Sequence, residues 1–87
     1  MIFVKRIRMA LLGHAHEHIT EVEYEQDGQT KTCTIAQVVT YLEEGGRAQV
    51  RVGRDAADVQ VVNASPKHIR TVADGKWADN LLALPRF

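Results

Sequence analysis

Asp27-Gly28 constrains this chain more than any other dipeptide in it. A two-residue type I′ turn needs positive φ at both central positions, and Asp-Gly accepts that geometry. The turn sets the register of everything around it. Tyr24 pairs with Lys31, Val22 with Cys33, Glu23 with Thr32, and Glu25 with Thr30. Opposed residues share a face of the sheet. Val22, Tyr24 and Cys33 therefore form an apolar side, and the other side is polar.

A helix follows directly. Thr34-Ile35-Ala36-Gln37 fits a capping box, in which the Thr hydroxyl and the Gln side chain satisfy exposed amides. Ile35, Val38, Val39 and Leu42 then form one apolar stripe. Gly45-Gly46 ends the helix, since glycine takes the left-handed conformation of a C-cap. A stripe of this kind must be buried, at about 1.5–3 kcal/mol per large side chain, so the helix lies on a sheet.

The remaining segments read as strands. Ala48, Val50 and Val52 alternate with Gln49 and Arg51. A loop over 53–58 leads to Val59-Gln60-Val61-Val62, and Ser65-Pro66 marks a turn before Ile69 to Val72. The first strand runs from about Ile2 to Leu12. Matching apolar positions pairs Ile7 with Tyr24, Met9 with Val22 and Leu12 with Ile19, and sets Arg6 against Glu25 and Arg8 against Glu23. The expectation is one α+β domain over residues 1–87. It has a single, mostly antiparallel sheet of five to six strands and one helix on one face. The order is three strands, the helix, then two or three strands. Ala10, Leu12 and Ile19 fall on the other face as an apolar patch, covered by the C-terminal leucines or by a second subunit.

Composition narrows the function classes. With 87 residues the chain buries only roughly 60–65% of its unfolded surface, so its core is thin. Eleven basic and eleven acidic side chains cancel, which removes bulk charge as a route to nucleic acid. Cys33 is the only cysteine, so no internal disulfide forms, and a lone thiol fits a cytoplasmic location. No run approaches the ~18 apolar residues of a membrane span. The short apolar run Met9 to Leu12 does not make a signal peptide.

Several residues invite a chemical reading. Lys5, Arg6 and Arg8 could touch phosphates, but Glu17 to Asp27 holds five acids and no Lys or Arg. A paired sheet face is the simpler account. Arg47, Arg51, Arg54, Lys67 and Arg70 form a second, scattered basic set, with few aromatics to stack bases. His14-Ala15-His16-Glu17-His18 is the sharpest feature. Alternate residues of an extended chain project together, so His14, His16 and His18 could share zinc. Structural zinc usually takes four ligands, often with cysteine, and an exposed polar loop is the plainer reading. Cys33 falls under the helix as a small buried hydrophobe, and Trp77 as a core or edge aromatic.

The most distinctive stretch is His68-Ile69-Arg70-Thr71, then Asp74-Gly75, then Asp79-Asn80-Leu81-Leu82-Ala83-Leu84-Pro85. The Asp-Asn pair can cap a short turn, after which the leucines fold back onto the sheet. This stretch resembles an uncharacterised, mainly bacterial family, domain of unknown function 3892. That family's pattern is Ile-Arg-Thr, a short gap, Asp-Gly, three residues, and Asp-Asn-Leu-x-x-Leu-Pro. His18-Ile19-Thr20 and Gly45-Gly46 match its earlier layout. His68 stands where tyrosine is commoner. The family's frequent C-terminal cysteine is absent, which weakens a terminal metal or redox role. The resemblance implies a common fold and no activity.

Three functional readings follow. The first is an interaction module without catalysis, self-associating or binding a protein partner, with Arg70, Thr71, Asp74, Asp79 and Asn80 as its candidate binding residues. The second is a nucleic-acid binder using Arg47, Arg51, Arg54 and Arg70. The third is a zinc site at His14, His16 and His18; no other cofactor is expected, and no membrane partner.

Overall fold

The computed structural model describes residues 1–73 and 75–87, with the backbone alone at Val52. The elements are β1 (Ile2–Met9), a 3-10 turn (His16–His18), β2 (Ile19–Gln26), β3 (Gln29–Thr34), α1 (Ile35–Glu43), β4 (Ala48–Val52), β5 (Asp55–Val62), β6 (His68–Ala73) and β7 (Lys76–Ala78). They build one sheet in the order β3-β2-β1-β4-β5-β6-β7. Among the described strands, β1 and β4 alone pair with each other in parallel, at Ile2 with Ala48 and Phe3 with Gln49. The α+β class with one helix holds, but seven strands exceed the five to six expected. The additional one is β7, whose three residues are too few to show a period.

The hairpin between β2 and β3 has the register derived from its turn, including Val22 opposite Cys33 and Tyr24 opposite Lys31. Asp27 and Gly28 have φ of 51° and 78°, as a type I′ turn needs. Thr34 and Gln37 cap α1 reciprocally, at 3.2 Å and 2.9 Å. Val38 and Val39 are buried, Ile35 and Leu42 pack against the core from its margin, and Gly45 closes the helix at φ 95°. The helix contacts β2 and β3 on one flank and β5 and β6 on the other, so the sheet curves around it.

The first strand corrects the expected register. Val4 opposes Tyr24, Ile7 opposes Val22, and Met9 opposes Ile19, with irregularities between Val4 and Arg6 and between Arg8 and Met9. Uniform alternation cannot bury Ile2, Val4 and Ile7 together, because the last step is three residues. A bulge inserts the extra residue and turns Ile7 back to the core. The charges still pair, as Arg6 with Glu23 and Arg8 with Glu21. β1 also stops at Met9 and not Leu12. Ile19 is buried in the core while Ala10 and Leu12 are exposed, so the expected patch on the other face does not form.

The expected 53–58 loop shrinks to Gly53-Arg54, because Val52 pairs with Asp55 and Arg51 with Ala56. Pairing with a neighbouring strand overrides the weak β-preference of Asp55 and the alanines.

The core joins Ile2, Val4 and Ile7 of β1 to Val22, Val38, Val50, Val59 and Ile69. The C-terminal leucines complete it. Leu81 is fully buried, and Leu82 and Leu84 pack beside it. Beyond them the chain runs parallel to β1. The Ile7 amide donates to Pro85 at 3.0 Å, and the Phe87 amide donates to Ile7 at 3.0 Å. The tail thus occupies β1 past the point where its pairing with β4 ends. Among the described residues, no helix is long and apolar enough to cross a membrane.

Candidate functional site

β6 and β7 hold the distinctive C-terminal residues. Thr71 pairs with Ala78 across them and has no exposed surface. Its hydroxyl donates to the Ala78 carbonyl at 3.1 Å and accepts from the Asn80 amide at 3.2 Å. Arg70 Nε donates to the same carbonyl at 3.3 Å, and Nη2 donates to Asp79 Oδ1 at 2.9 Å. Arg70, Thr71, Asp79 and Asn80 therefore converge, and the hydrogen bonds they make tie the chain to itself. Four polar contacts hold 78–80 as the chain leaves β7, and Leu81 enters the core directly after. Asp74 lies outside the described residues.

His16 joins this cluster from the opposite end of the sequence. The histidine segment is a 3-10 turn and not an extended run, so its alternate side chains diverge. His16 points inward and is 8% exposed, with Nε2 at 3.7 Å from Asp79 Oδ1. That exceeds a hydrogen bond, and the atom is buried without a partner among the described residues, as is His68 Nδ1. Burial first, and the positive charge of Arg70 second, hold the His16 imidazole below its ordinary range, against the opposing pull of Asp79. His18 turns elsewhere, its Nδ1 accepting the amides of His14 and Ala15 at 3.1 and 3.2 Å. His14 is exposed, with its ring 5.5 Å from that of His18. The three imidazoles do not face one point, and no group of three or more His, Cys, Asp or Glu among the described residues could hold a metal ion.

The basic residues are interleaved with acids. Arg47 lies 3.7 Å from Asp58, Arg70 is bound to Asp79, and Arg51 stacks over the Phe3 ring at 4.5 Å. Arg54 is exposed in the turn between β4 and β5. Asp58 and Asp79 thus partly neutralise Arg47 and Arg70, two of the four arginines. Cys33 is half-buried beside a cleft of about 300 Å³ lined also by Tyr24 and Tyr41, and burial pushes its thiol up. Trp77 is 49% exposed on the edge strand β7.

One feature escaped the sequence reasoning. Leu11 and Leu12 form the tip of a tight turn after β1 and are 93% and 92% exposed. The Gly13 amide donates to Ala10 at 2.8 Å, and the Ala10 amide donates to His18 at 2.8 Å, which closes the turn. Leu12 has φ 62°, the left-handed region that leucine rarely occupies. The signal was present in Met9-Ala10-Leu11-Leu12, an apolar run that cannot alternate between two faces. A cleft of about 560 Å³ is lined by Glu17, Ile19, Ile35, Val39, Lys67 and His68 among others.

The model of a protein family described as "Protein of unknown function (DUF3892)" matches residues 3–85. No curated protein and no solved structure matches the chain.

Proposed function

This chain belongs to the DUF3892 family of proteins of unknown function, and on that premise we propose that it is a small non-catalytic module that grips a protein surface with its Leu11-Leu12 turn. The observation that carries the reading is Leu12 itself. A left-handed leucine costs roughly 1–2 kcal/mol, and here the side chain is 92% exposed, so burial within the chain returns nothing. Strain held without a folding return is a mark of interaction sites. The C-terminal motif supports the reading from the other side. Arg70 and Thr71 are engaged with the chain's own 78–80 segment, which makes the motif a device for holding the tail.

The test is a photo-reactive side chain at position 11 in living cells, with position 54 as an exposed control. A discrete adduct from position 11 alone, lost on Leu12→Asp, is the expected result. Adducts equal from both positions, or none, would refute the binding role.

A further inference from the structure

We propose that the edge of β1 at Ile7, with Arg6 and Arg8 beside it, is a strand-addition site for an extended, aromatic-bearing segment of a protein partner. Residues 85–87 are a strap that fills this site in the free chain. The inference does not rest on the role given to the Leu11-Leu12 turn.

The tail displays the kind of ligand this edge takes. The Ile7 amide donates to the Pro85 carbonyl and the Phe87 amide donates to the Ile7 carbonyl, both at 3.0 Å, so the segment adds in parallel. Main-chain bonds of this kind accept any extended sequence, and side-chain contacts supply the selectivity. Here Arg8 supplies it. Its Nε donates to the Phe87 carbonyl at 3.2 Å, and its guanidinium carbon lies 4.7 Å from the Phe87 ring centre, with that of Arg6 at 5.6 Å. One residue is thus read by its carbonyl and by its aromatic face. Glu23 and Glu21 on β2 pair with Arg6 and Arg8 and hold the clamp in place. An anion at this point would meet two carboxylates as well as two guanidinium groups. An uncharged aromatic side chain on a polypeptide therefore suits the clamp better than a phosphate.

The strap is lightly held. Leu81 is fully buried and Leu82 and Leu84 pack against the core, but Pro85 and Arg86 are exposed and Phe87 is only half-buried. Arg86 donates to the carbonyls of Leu82 and Leu84, so its side chain shapes the tail and adds nothing to the hold on β1. Two backbone bonds and one clamp secure residues 85–87, which can peel away with the leucines still in place. Ile7 then offers a free amide and carbonyl, on a side of β1 where pairing with β4 ends at Phe3.

The probe is an amidated synthetic peptide copying residues 82–87, which keeps the Arg86 contacts and the Phe87 carbonyl. It is titrated by NMR into the isotope-labelled full chain, as wild type and as Phe87→Pro, which removes both the ring and the amide donor of the strap. Phe87→Pro is expected to bind the peptide, with shifts at the Ile7 amide and at Arg8 Nε. Wild type is expected to bind at least about tenfold more weakly, because its tethered tail competes for the site. Tryptophan in place of the peptide's phenylalanine is expected to preserve binding, and aspartate to abolish it. Phe87→Ala removes the ring alone; it is expected to fall between, and it carries the test if Phe87→Pro does not fold. Absence of shifts at Ile7 and Arg8 up to about millimolar peptide, in a folded variant, overturns the proposal. Equal affinity for wild type and variant overturns it too, as does equal binding of the phenylalanine and aspartate peptides.

Discussion

Leu81 has no exposed surface, whereas Leu11 and Leu12 are each more than nine-tenths exposed. The side chains are identical, so the difference lies in the backbone beside them. Next to Leu81, the Ala78 carbonyl and Asn80 amide find partners in Thr71 and Arg70, inside the fold. The chain can therefore cross the rim of the sheet without stranding polar groups, and the leucine goes under. Next to Leu11, the turn closes on itself through Ala10, Gly13 and His18, and its tip is left in water. Burial of a leucine is decided by whether its neighbouring amides and carbonyls can be satisfied on the way in.

The largest effect that can break this comparison is loss of Leu81. Leu81→Ala leaves a cavity in the core that holds Ile7 and Ile69 and is expected to cost about 2–5 kcal/mol by urea unfolding. A cost below about 1 kcal/mol would show that the tail is an accessory to the core. Thr71→Val keeps the shape and strips the hydroxyl, leaving the Asn80 amide without its acceptor. The expected loss is about 1–3 kcal/mol, with tail amides exchanging faster with solvent.

His16 bridges the two leucine regions, and pH probes it. Its folded value is lowered from 6.5, so the unfolded chain takes up that proton first as pH falls. Its contribution to stability is complete above about pH 6.5 and is lost as pH drops toward the lower folded value. Urea midpoints should fall between about pH 7 and 5, and His16→Phe should flatten that decline. An unchanged slope in the variant would assign it to other groups. The smallest effect belongs to Leu12→Gly. Relief of the left-handed strain is offset by a freer unfolded chain, so stability stays level or rises by up to about 1 kcal/mol. A larger loss would mean that the Leu12 side chain takes part in folding.

The readable parts of the sequence were those whose partners lie nearby. Asp27-Gly28 announces its own turn, and Thr34 with Gln37 announces a helix start three residues apart, so the hairpin and α1 emerged with their faces correct. β1 was legible as a strand and illegible in register. The Ile2, Val4, Ile7 spacing contained the bulge, but even alternation reproduced an acceptable charge pairing and concealed it. β7 and the short turn before β5 depended on neighbouring strands, which no local pattern encodes. At the candidate site, Arg70 and Thr71 stood out while their role did not, because that role requires a chain reversal before Ala78 and Asn80. His16 was visible as one of three alternating histidines. Its inward turn is set by packing against β6 and the tail, from the far end of the chain.

The bridge between Ile7 and Arg86 has a consequence for synthesis. A ribosome emits β1 well before the residues that complete its free edge. In that interval, β1 past Phe3 presents unsatisfied amides and carbonyls on that side, a template to which another nascent chain can add. The bulge toward β2 bends the strand and Lys5, Arg6 and Arg8 charge it, which guards the interval until 85–87 arrive.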